Sequence, residues 1–137
     1  MSNFNRWIPR LILAVTAVHF GYGFLVESSL GGIASDGFVN AVGDDAEREG
    51  WMWFMLAGAG LAAIGFQARR AVLDHGRVPL GTGFWMLGIG VPLAVLQPAS
   101  GSWLLIALGV AALVAARGGP AGGSSAAPGR RSAEVPR

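Results

Sequence analysis

Four apolar runs separated by polar connections of unequal length set the pattern of this chain. They occupy about residues 8–26, 51–68, 80–96 and 101–116. None alternates as a half-buried strand does, and each is longer than strands usually are, so the pattern predicts helices. The first run comes close to the roughly 20 apolar residues that cross a 30 Å hydrocarbon core. Two or three soluble core helices would need surface charges that the last three runs do not carry. The predicted fold is all-α, an integral membrane four-helix bundle within residues 1–117. A disordered cytoplasmic tail, residues 118–137, follows it, built mainly from Gly, Ala, Ser, Pro and Arg.

The connections refine this picture. Pro9 is expected near the first turn of the first helix, where a missing N–H matters least. Residues 28–50 form the longest connection and an acidic one, with a half-apolar centre at 36–42 that predicts a turn and a short interfacial helix. Asp44 and Asp45 offer N-caps for the second span. Residues 69–78 are expected to be a water-soluble linker. Residues 97–102 leave room only for a tight turn, so runs three and four should pair as a helical hairpin. Gly58, Ala62 and Gly65 line one side of run two, and Ala107, Ala111 and Ala115 one side of run four. Small residues at such spacings let helix backbones approach in lipid, so spans two, three and four are expected to pack through them. Pro92 should kink the third helix or loosen its last turn.

Charge fixes an orientation. Of 137 residues, 53% are hydrophobic and 13% charged, too few charges to cover a water-facing globule. Every arginine except Arg48 falls on one side of a four-span arrangement, which the positive-inside rule assigns to the cytoplasm together with both termini. Trp51, Trp53 and Trp103 gather at the opposite interface and Trp7 at the inner one. The formal charge is only +2 and the arginines flank apolar runs, so no nucleic-acid partner is expected. The partner is the lipid bilayer, with a homo-oligomer through the small-residue faces as a further option. Cysteine is absent, which excludes disulfides and thiolate chemistry. Arginines, an apolar stretch and the small residues at 32–34 also fit a cleaved signal peptide, an alternative for the first run.

Candidate chemistry centres on His19, the ionisable side chain placed well inside an apolar run. An ionisable group within a membrane is a functional hypothesis by default. Its bland counterpart is a neutral ring bonded to a backbone carbonyl or to Tyr22 as a packing element. Thr16 and Gly23 share the His19 helix face. Glu27 lies about 12 Å further along the axis, at the exit interface. A water-filled pocket between His19 and Asp36 is therefore the site expected, with Thr16, Tyr22 and Glu27 beside it. His75, on a charged linker, reads as solvated. No metal is expected, since two histidines on opposite sides do not converge. No cofactor is implied, and no phosphate loop, nucleophile elbow or HExxH pattern occurs.

A histidine in the first span, then IASDGFVNAV, WFMLAGAGL and QPASGSWLLIALGV, resembles a family of small four-span bacterial membrane proteins of unknown function. The resemblance covers roughly residues 6–117. It implies a bacterial inner-membrane location and no assigned activity. A structural or accessory membrane role then comes first, and catalysis is not expected. A small transporter or permease subunit using the His19 face is the alternative, although small multidrug exporters carry a glutamate where this chain has His19. A membrane-embedded enzyme is third.

Overall fold

Long apolar runs carry the chain into helices that pass through internal glycines and through Pro9 and Pro92. The computed structural model describes residues 3–26 and 28–118, and the regular structure among them is helical. The helices are α1 (Asn3–Leu25), α2 (Leu30–Ser35), α3 (Ala46–His75), α4 (Leu80–Leu96) and α5 (Ser102–Arg117). The tail expected to be disordered lies, from residue 119 on, outside the described residues.

Each boundary has a local cause. α3 starts at Asp45, whose carboxylate accepts from the N–H groups of Glu47 and Arg48 at 3.0 and 3.1 Å. Glu47 and Glu49 in its first turn face the positive end of the helix dipole. At the other end α3 is longer than its apolar run. Residues 69–75, expected as a linker, are helical because neither Gly nor Pro stops the helix before Gly76. Arg70 and Asp74 form an i,i+4 pair across that last stretch, at 3.7 Å. Gly76 ends it in the left-handed conformation, φ 73°, with its N–H bonded to the Val72 carbonyl.

Two other expectations need correction. α1 begins at Asn3, so Pro9 sits in its second turn rather than its first. The short helix of the long connection is α2, ahead of residues 36–42. Those residues turn instead, with positive φ at Gly37, Phe38 and Asn40, values that a right-handed helix does not admit. In α4, Pro92 lies inside the helix, which continues to Leu96.

α1 holds the centre. It packs on α3 and on α5, and α4 packs on α5. Ile8 and Ile12 of α1 meet Leu61 and Val72 of α3, Met86 of α4 and Leu105 and Ala112 of α5 in one core. The small face of α3 was expected to receive α4 and α5, but it receives α1. A Cβ on Gly58 would meet His19 and Phe20, and one on Gly65 would meet Leu13 and Ile12. On α5 the seam runs through Leu105, Leu108, Gly109, Ala112 and Ala115, whereas Ala107 is exposed. Gly83 of α4 and Gly109 of α5 bring the two backbones together, as the short connection implies.

The outside of this packing is apolar. Leu25, Val95, Val18 and Leu73 are 86, 75, 72 and 70% exposed, and Phe66, Phe84, Trp85 and Val114 also face outward. α1 and α3 are long and apolar enough to cross a membrane, while α4 and α5 are apolar helices of 17 and 16 residues. Charge is divided by end. Asn5 Nδ2 donates to the Gly76 carbonyl at 3.3 Å, so the start of α1 meets the end of α3. Arg6, Arg10, Arg69, Arg70, Arg77 and Arg117 therefore gather there, while Asp36, Asp44, Asp45, Glu47 and Glu49 lie at the opposite end.

Candidate functional site

His19 is placed by α1 against the one-residue gap that Gly58 leaves in α3. A Cβ at Gly58 would stand 2.7 Å from His19 Cδ2. The ring lies flat on Phe54, centroids 3.7 Å apart and planes 11° apart, with Phe20 edge-on at 6.1 Å. His19 Nε2 is 2.8 Å from the Phe54 carbonyl oxygen. A carbonyl can only accept, so Nε2 carries the proton and donates, leaving Nδ1 as the acceptor in the neutral ring.

The companions of His19 are placed differently from one another. Thr16 is buried on the same face, but its hydroxyl donates to the Ile12 carbonyl of its own helix at 2.9 Å. Tyr22 is half exposed with its ring tilted 6.0 Å from Phe54. Gly23 lets Phe54 and Met55 close in, and its carbonyl accepts from Trp51 Nε1 at 2.8 Å. Glu27 lies outside the described residues. Asp36 is not brought to His19; its carboxylate is taken by Arg48 at 2.6 Å.

Arg48 is the centre of a second polar cluster. Its guanidinium donates to Asp36 and to the Ala41 carbonyl, both at 2.6 Å, and pairs with Asp45 at 3.3 Å. One side chain thus ties the 36–41 turns to the first turn of α3. A cavity of about 220 Å³ lies beside it, lined by Ser29, Gly32, Asp45, Glu47 and Arg48. A second, of about 350 Å³, lies at the arginine end beside His75 and Arg77. Neither is lined by His19 or Asp36, so the pocket expected between those two residues does not coincide with either cavity.

Hydrogen bonding to Arg48, reinforced by its charge, holds the Asp36 carboxyl below its ordinary value of 3.8. A depressed carboxyl stabilises the loop above pH 3.8 and loses that contribution as pH falls through its own lower value. Arg48→Gln should return the Asp36 midpoint towards 3.8, read by carboxyl carbon NMR. An unmoved midpoint would show that the pair does not form. Arg48 was legible in outline as the only arginine between Arg10 and Arg69, set among acids. The roles of Phe54 and Trp51 were not, because each involves a bond to a backbone carbonyl, of Phe54 for His19 and of Gly23 for Trp51, that no residue type marks.

A model of a family of unknown function (DUF6463) matches residues 3–119. No curated protein and no solved structure matches the chain.

Proposed function

We propose that this chain, which belongs to the DUF6463 family, is a small multi-pass membrane protein with a structural or accessory role. Its four long helices would span the inner membrane of a bacterium, with both termini in the cytoplasm. The observation that carries this reading is the apolar outer surface on all four, α4 and α5 included. Soluble monomers rarely expose contiguous apolar patches beyond a few hundred Å². The segregation of arginines to one end supports the orientation. At 1.5 Å per residue α4 and α5 reach only about 24–26 Å, a mismatch that local thinning of the bilayer or interfacial anchors can absorb. The complete burial of Ile8 in the core supports α1 as a retained span rather than a cleaved leader.

An accessory role fits His19 better than transport does. A proton or solute path needs water at the ring, and here the ring is stacked on Phe54 and pressed against Gly58. A half-buried polar residue bonded to a neighbouring helix is an adhesive, worth about 1 kcal/mol in lipid. The glycines at 58, 65, 83 and 109 are used inside the chain, so a homo-oligomer would need another face. His19→Leu should leave insertion intact and cost about 1 kcal/mol in detergent stability. Proteoliposome fluxes of protons and small cations should be equal with and without the protein. A flux abolished by His19→Leu in a folded variant would replace this reading with the transporter one. Alkaline carbonate should leave the protein in the membrane pellet, and its release would contradict a membrane-spanning protein.

A further inference from the structure

At the arginine end a cavity of about 350 Å³ opens where the end of α3, the start of α4 and the end of α5 meet. Its lining is apolar, including Ala71, Val78, Leu80 and Ala116, apart from His75 and Arg77. Both polar side chains are exposed, and neither has an ion pair or hydrogen bond among the described residues. Gly76, between His75 at the end of α3 and Arg77, is tied to α1 by the bond from Asn5. Asp74 is the one acid at this end among the described residues, and it is paired with Arg70. Pro79 opens α4 without a side-chain cap, so an anion here would also meet the positive start of that helix.

We propose that this cavity holds the phosphodiester of an anionic phospholipid, with Arg77 and His75 on the phosphate and the apolar lining against the glycerol and upper acyl chains. The proposal rests on the membrane reading above, under which this end lies at the cytoplasmic headgroup level. A basic pocket between membrane helices on that side suits an anionic headgroup. The predominantly apolar lining favours a phosphate that carries hydrocarbon over a free, fully hydrated one.

The test uses the full chain in nanodiscs of equal phosphatidylcholine and phosphatidylglycerol, with retained lipid counted by native mass spectrometry. Wild type should retain phosphatidylglycerol over phosphatidylcholine. Arg77→Gln and His75→Gln should each lower that preference, the arginine change about fivefold. Arg6→Gln, which removes a charge from the same end but outside the cavity, should change it little. An equal loss in Arg6→Gln and Arg77→Gln would mean diffuse attraction and overturn the site. No preference in wild type overturns it as well. Inorganic phosphate that displaces the retained lipid at millimolar concentration would identify a small-anion site instead. Protein that inserts but shows no preference defeats the lipid site alone, whereas protein that fails to enter nanodiscs defeats the membrane reading and the site with it.

Discussion

Gly83→Leu is expected to be the most damaging single substitution in the protein. A Cβ at Gly83 would sit 2.8 Å from the Gly109 carbonyl oxygen and 2.5 Å from Leu113 Cγ. A side chain can swing away, but a backbone oxygen in the middle of a helix cannot, so α4 must separate from α5. Overpacking usually costs about 1–3 kcal/mol, and a backbone clash belongs at the upper limit. Gly88→Leu is the control, since a Cβ there meets nothing within 4 Å on the same helix. In detergent, Gly83→Leu should melt well below wild type and Gly88→Leu close to it. Equal melting of the two variants would mean that α4 and α5 are not in backbone contact.

Gly58→Leu should have the second largest effect, at the α1–α3 contact. The new Cβ would stand 2.7 Å from His19 Cδ2 and 3.0 Å from the Phe20 ring. These neighbours are side chains, but the His19 ring is fixed on one side by Phe54 and by its bond to the Phe54 carbonyl. The ring would have to leave that carbonyl, so the loss combines overpacking with a hydrogen bond, about 2–3 kcal/mol together. Gly60→Leu, with nothing within 4 Å of its Cβ, should be neutral or slightly stabilising because leucine is the better helix former. His19 ring resonances in Gly58→Leu should lose the shift caused by stacking on Phe54. Unchanged resonances would place the ring elsewhere.

Sequence pattern carried the existence of the four long helices, the α4–α5 hairpin and the Asp45 cap, because each depends on residues adjacent in the chain. It did not carry partner choice. The glycine face of α3 announces close approach, yet nothing in Gly58 or Gly65 says that α1 rather than α4 or α5 will fill it. The α5 seam shows the same limit. Ala107 and Ala111 share a face with Ala115, but Leu105, Leu108 and Ala112 are what the neighbours bury, and alanine on both faces leaves the pattern degenerate. Charge misled at the end of α3, where Arg69, Arg70 and Asp74 read as a linker although an i,i+4 pair supports a helix equally well. At His19 the residue and a bond to a backbone carbonyl were readable, but not which carbonyl. The Phe54 carbonyl that accepts from it belongs to every residue type, so no sequence signal could mark it.

The four-span topology is tested most directly by cysteine accessibility, since the chain contains no cysteine of its own. Ser35 and Ala99 are exposed near the acidic end, and Asp74 is exposed near the arginine end. Single cysteines at Ser35 and Ala99 should react with an impermeant maleimide added to intact spheroplasts. A cysteine at Asp74 should react only after the membrane is opened. Labelling of all three positions in sealed spheroplasts, or of Asp74 while Ser35 and Ala99 stay protected, would contradict a membrane-spanning protein with its arginine end in the cytoplasm.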